Sequence, residues 1–161
     1  MKPIVAILMG SDSDAAELKP CGEVLKEFGV PFVAKVLSAH RTPKETTAFA
    51  ESAKKEGIRV LICAAGGAAH LAGVVAAHTE LPVIGIPIET AALKGMDSIL
   101  STVQMPAGTP VATVAVGSGG VRNAAFLAVR ILALQDARIA RALADHKEKN
   151  REKILKKQVD L

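Results

Sequence analysis

Runs that are apolar at nearly every position recur at residues 4–9, 32–37, 60–64, 83–86 and 111–116, and most are separated by amphipathic or Ala-rich stretches of helical length. A strand that is apolar on both faces is buried on both, whereas a half-exposed antiparallel strand alternates. The pattern predicts alternating β and α elements, a parallel sheet covered by helices on either side, and right-handed crossovers. The expected architecture is α/β, a three-layer αβα sandwich of flavodoxin-like type. At 161 residues the chain suits one domain, with a core over about 3–134 and a helical extension over about 136–159.

Local punctuation sharpens two helices. Thr42-Pro43-Lys44-Glu45 combines an N-cap Thr, a Pro at the first helical position and a Glu placed to close a capping box, so a helix should run from Pro43 to Glu56 and stop at Gly57. Ser13-Asp14 opens another that reaches about Phe28, with Pro20 inside it to kink it or displace its first turns. The last stretch, 136–159, is charged and helix-prone, with Ile139, Leu143, Ile154 and Leu155 as sparse apolar anchors. With the sheet already covered, its expected partner is a neighbouring subunit, which predicts a homo-oligomer.

Composition changes this picture little. Half the residues are hydrophobic but only four are aromatic, all Phe, so Ala, Val, Ile and Leu must build the core. The net charge of +4 invites a nucleic-acid reading, but from Ala137 onward eight Lys/Arg and four Asp/Glu already account for it, and residues 1–136 carry twelve of each. A basic helix without aromatic stacking residues is not a single-strand binder, so no nucleic acid is expected. Cys21 and Cys63 have neither disulfide nor metal-ligand spacing and read as reduced, buried thiols. No apolar run is long enough for a signal or a membrane span, so a cytoplasmic protein with no membrane contact is expected.

The candidate chemistry follows three strands. In an open parallel sheet, ligands bind beyond the carboxyl ends of the strands, where loops lead into helices. Met9-Gly10-Ser11-Asp12-Ser13-Asp14 offers a glycine for close approach, two hydroxyls and backbone N–H groups suited to a phosphate, and Asp14 would have to face sugar hydroxyls instead. Ordinary capping would leave the same residues. Ser38-Ala39-His40-Arg41-Thr42-Pro43 sets a group that titrates near neutral pH beside a forked anion ligand. A locally bonded His and a solvated Arg would also read this way. Ala65-Gly66-Gly67-Ala68-Ala69-His70-Leu71 lacks the spacing of a P-loop or a dinucleotide fingerprint, but its small residues let a flat ring or CO₂ lie against backbone, with oriented N–H groups for a carboxylate. His70 lines that cleft or is satisfied by backbone.

His78 and His146 read as structural or solvent-facing, and no metal is expected. Gly117-Ser118-Gly119-Gly120 before Arg122-Asn123 is a fourth loop, more turn than site.

Taken in order, these motifs resemble the N5-carboxyaminoimidazole ribonucleotide mutases, the catalytic subunits of phosphoribosylaminoimidazole carboxylase. Besides the three loops, the resemblance is carried by Gly73, Leu81-Pro82-Val83-Ile84-Gly85-Ile86-Pro87, Asp97-Ser98-Ile99-Leu100-Ser101-Thr102-Val103-Gln104-Met105-Pro106 and Asn123-Ala124-Ala125. It departs where many relatives have an aromatic residue at Ala15, a Pro at Ala72 and a Gly at Ala107. The resemblance implies a homo-octamer with its C-terminal helix exchanged between subunits. It also implies an imidazole ribonucleotide whose carboxylate leaves the exocyclic nitrogen and, by way of transient CO₂, reappears on ring carbon 4. His40 would be the proton shuttle, Ser11, Ser13 and Arg41 would hold phosphate, and Asp14 the ribose. Gly10, Ser38 and Ala39 would line the site, and Gly66, Gly67, Ala68, Ala69, His70 and Leu71 would hold carboxylate or CO₂. No cofactor is implied. Arg41, where direct carboxylases have Lys, favours the mutase over a carboxylase that takes CO₂ directly; a non-enzymatic nucleotide sensor would bind without turnover.

Overall fold

The computed structural model describes residues 2–159. Its centre is a parallel sheet of β1 (Val5–Met9), β2 (Phe32–Val36), β3 (Val60–Gly66), β4 (Val83–Ile88) and β5 (Ala112–Thr113), in the order β2-β1-β3-β4-β5. This is the flavodoxin-like order, and its direction reverses between β1 and β3, where a crevice opens. Every residue of β1 and β4 is buried, as expected of strands covered on both faces.

Among the described residues there are six α-helices around the sheet: α1 (Ala15–Glu27), α2 (Pro43–Glu56), α3 (Leu71–Ala77), α4 (Met96–Val103), α5 (Ser118–Ala133) and α6 (Ala137–Leu155). Because successive strand residues point to opposite faces, Val5, Ile7 and Met9 pack with α1 and α5, whereas Ala6 and Leu8 pack with α2 and α3. Gly85 is where the second face is tightest. A Cβ there would stand 2.6 Å from Thr102 Cγ2 and 2.9 Å from Val111 Cγ1, so only glycine lets α4 and the approach to β5 close on β4.

Two expectations need correction. β2 is an edge strand and its last three residues are exposed, with Lys35 lying over the Phe49 ring; an apolar run does not reveal its place in the sheet order. β5 is shorter than the 111–116 run, because after Val114 donates to the Gly85 carbonyl the chain turns into α5 through Gly117 at φ +83°. A Cβ at Gly120 would also overlap the Ala115 carbonyl oxygen, so packing requires that glycine of the fourth loop.

The first turns of α6 dock on their own chain: Asp136 caps it, Ile139 is fully buried, and Leu143 packs against the core. His146 packs with Phe28 and Phe126 in a three-ring cluster and bonds Glu27 at 3.0 Å. Only the distal anchors Ile154 and Leu155 are left exposed for a neighbour. Pro20 lies within α1, which a 3₁₀ turn over Asp12–Asp14 precedes. Cys21 and Cys63 are free and buried, and burial pushes the Cys21 thiol up to about 12 and the Cys63 thiol higher still.

Candidate functional site

The carboxyl ends of β1, β2 and β3 open into one cleft of about 380 Å³. It is lined by Gly10, Ser11, Asp14, Ser38, Ala39, His40, Arg41, Ala65, Gly66, Ala68, His70 and Leu71, so the three loops singled out in the sequence converge. Ser13, Gly67 and Ala69 are not among the lining residues. Ala65, the first residue of the third segment, lines the cleft as well.

The first loop is organised by a hydroxyl. Ser11 Oγ accepts from the Ser13 backbone N–H at 3.3 Å, capping the 3₁₀ turn, and lies 2.8 Å from Ser13 Oγ, which donates to it. Ser13 therefore orients Ser11 rather than facing the cleft itself. Among the described residues lining the cleft, Asp14 is the only carboxylate. Its neighbour Glu17 is held above the usual carboxylate range, first by burial and then by the charges of Asp14 and Glu89. This rim is negative, which turns a phosphate away from it.

The second loop is braced by Ser38 and Thr42. Thr42 makes no side-chain cap bond to α2, contrary to the expected capping box: its hydroxyl accepts from the Ser38 N–H at 2.8 Å and lies 3.2 Å from the Ser38 carbonyl. Thr46 Oγ1 reaches the same carbonyl at 3.2 Å. The Arg41 N–H donates to Ser38 Oγ at 3.2 Å, while its guanidinium donates to the Gly10 carbonyl. Arg41 thus ties the second loop to the first, and it is the only permanent cation among the described cleft residues. One Nη2 hydrogen and the Nε–H serve these contacts, which leaves the outer fork free to donate.

The third loop brings in the second histidine. His40 Nε2 lies 2.8 Å from His70 Nδ1, with the rings edge to face at 4.8 Å between centroids. In such a pair one nitrogen donates and the other accepts, so a proton lies on the line between them. Both side chains are exposed to the cleft. Neither histidine belongs to a metal cluster: among the described residues no three or more His, Cys, Asp or Glu come together in a way that could hold a metal ion. His78 bonds Glu51 at 3.1 Å, away from this cleft. Among the described residues no helix is long and apolar enough to cross a membrane.

Known proteins resemble the chain along nearly its whole length. A family model described as AIR carboxylase matches residues 4–153. A curated relative from Bacillus subtilis (strain 168), named N5-carboxyaminoimidazole ribonucleotide mutase, is 50% identical over 155 residues, which covers 96% of each chain. A relative of the same name from Pyrococcus horikoshii is 50% identical over 156 residues, covering 94% of this chain and 87% of its own. Among solved structures, the crystal structure of Treponema denticola PurE superposes with a TM-score of 0.86 at 31% identity, covering 95% of this chain and 94% of the other.

Proposed function

The chain belongs to the AIR carboxylase family, and from that premise we propose that it is a mutase of purine biosynthesis, an isomerase interconverting N5-carboxyaminoimidazole ribonucleotide and 4-carboxy-5-aminoimidazole ribonucleotide. The observation that carries this reading to particular atoms is the 2.8 Å pairing of His40 and His70 in a cleft whose other wall is Ser11 and Arg41.

The reaction needs one proton twice. When the carboxyl carbon–nitrogen bond breaks, its electron pair stays on nitrogen, which takes a proton from His40, and CO₂ is released into the cleft. Ring carbon 4, nucleophilic because the amino nitrogen feeds electrons into the ring, then attacks the trapped CO₂. His40 removes the proton from carbon 4, which restores the aromatic ring and returns the histidine to its starting state. CO₂ and ring must stay together between these steps, which the small, backbone-walled third loop favours. Arg41 and Ser11, with Ser13 behind it, hold the 5′-phosphate, and Asp14 takes the ribose hydroxyls. Gly10, Ser38 and Ala39 shape the floor, and Gly66, Gly67, Ala68, Ala69, His70 and Leu71 receive carboxylate or CO₂. No cofactor enters this chemistry.

His40→Asn tests it. The variant should lose isomerisation by on the order of 100-fold or more while still binding ribonucleotide. A full rate in His40→Asn overturns the shuttle. Turnover of aminoimidazole ribonucleotide at low bicarbonate would assign a direct carboxylase instead.

The same reading includes a cytoplasmic homo-octamer. Supporting it are the exposed apolar face of α4 at Met96, Leu100 and Val103, the exposed Ile154 and Leu155 of α6, and buried free thiols suited to a reducing compartment. Light scattering checks the assembly.

A further inference from the structure

The geometry of the third loop is imposed from outside it. β3 ends at Gly66, α3 begins at Leu71, and the four residues between them hold the wall that carries His70. Their own bonds are two short turns, Ala69 N–H to the Gly67 carbonyl and His70 N–H to the Ala68 carbonyl, both 2.8 Å. Gly67 sits at φ +68°, in the left-handed region, so this loop has a pivot that its own bonds do not fix.

Helix α4 fixes it. Ser98 is fully buried, and its hydroxyl donates to the Ile88 carbonyl at the end of β4 at 2.6 Å while accepting the Gly67 N–H at 2.9 Å. The direction is unambiguous, because the single hydroxyl hydrogen goes to a carbonyl and the lone pair remains for the amide. One turn on, Ser101 Oγ lies 3.1 Å from the Gly67 carbonyl, sharing its hydrogen with the Asp97 carbonyl at 2.6 Å. Asp97 in turn accepts from Thr90 Oγ1 and from the Ser98 N–H, which sets the first turn of α4. Farther along, Met105 Sδ would stand 3.1 Å from a Cβ at Gly73, so the segment after α4 presses on α3 as well.

We infer that Ser98 is a positioning residue for the reaction: through the Gly67 peptide it sets where the third loop and His70 stand relative to His40. Ser101 assists from the carbonyl side. The inference rests on the reading of the cleft as the isomerisation site. Ser98 touches no substrate, so its loss should act on the chemical step and spare the phosphate contacts of Arg41.

The test compares Ser98→Ala, Ser101→Ala, Thr102→Val and His40→Asn. Thr102 is a buried hydroxyl on the same helix that donates to the Ser98 carbonyl at 2.7 Å without touching the loop, so Thr102→Val controls for general loosening of α4. Ser98→Ala should lower kcat by about tenfold or more, as a displacement of well under 1 Å in a reacting group does, with KM nearly unchanged. Its Gly67 amide should exchange hydrogen faster, and the imidazole ¹⁵N signals of His40 and His70 should shift. Thr102→Val should keep the wild-type kcat. Should Ser98→Ala fail to accumulate folded, Ser101→Ala is read in its place and should show a smaller fall in kcat in the same sense. A wild-type kcat in the variant read, a loss confined to KM, or an equal loss in Thr102→Val overturns the inference. A fully active His40→Asn would instead overturn the reading of the site, so the two failures are distinguishable.

Discussion

Arg41→Ala separates binding from bracing. The guanidinium already donates to the Gly10 carbonyl and sits 3.5 Å from Ser38 Oγ, so one of its five hydrogens joins the two loops, a second braces its own loop, and three remain to donate. A hydrogen bond to a charged group contributes about 1.5–3 kcal/mol, so a fork with one or two good bonds to phosphate is worth about 3 kcal/mol. At about 1.4 kcal/mol per tenfold, that is roughly 100-fold in affinity. Calorimetric titration of wild type and variant with aminoimidazole ribonucleotide, and with the riboside that lacks the phosphate, forms a cycle in which bracing and phosphate contact are counted separately. The riboside loss measures the bracing. Ribonucleotide affinity should fall by about 100-fold and riboside affinity by less than about threefold. Arg41→Lys should recover only part, because one ammonium cannot serve the Gly10 carbonyl and a phosphate fork together. Equal losses for the two ligands would refute the assignment and leave Arg41 a purely structural clamp.

Two further substitutions probe the scaffold. Ile139→Ala should destabilise the folded subunit by about 3 kcal/mol in urea melts, because it empties a fully buried site under α5, whereas Ile154→Ala at an exposed position should be nearly silent in the same assay; the reverse order would show that α6 is not docked on its own chain. Glu17→Gln should raise the melting temperature at neutral pH: a carboxyl held above its ordinary range binds its proton more tightly folded than unfolded, so the wild type loses stability as pH rises through that window, and the advantage of the amide should vanish once the pH falls below the ordinary carboxylate value.

Much of this was legible in the sequence where local chemistry decides. α2 runs from Pro43 to Glu56 as expected, because Pro fixes the first helical φ and Gly57 ends the helix at φ +96°. Which group a hydroxyl will meet is not local. Thr42 looked like a cap, yet the Ser38 backbone folds back to within reach first. Sheet order is equally invisible in a run of apolar residues, which is why β2 looked doubly buried. The His40–His70 pair joins positions 30 residues apart and required β1 and β3 to be neighbours. A signal for α4 existed: Ser98, Ser101 and Thr102 share one helical face at spacings of three and four, a hydroxyl stripe that an apolar face does not call for. His146 was correctly read as structural or solvent-facing, but its place against Phe28 and Phe126 depends on α6 folding back along the chain.

The cleft has depth because two neighbouring strands stop at different heights. β1 pairs with β3 from Val5 opposite Val60 to Met9 opposite Ala64, and there β1 ends. β3 continues through Ala65 and Gly66, held on its other side by Pro87 and Ile88 of β4. At about 3.3 Å per residue, two residues raise that wall by about 7 Å above the floor at Gly10, whose N–H closes the step on the Ala64 carbonyl. On the proposed reading ligand lies against the overhang, so the residues forming it have to be small, while those below it have to fill a core. β3 obeys both demands in one strand, with Val-Leu-Ile-Cys-Ala below and Ala-Gly above. The change from large to small side chains along β3 therefore begins one residue below the height at which core ends and site begins.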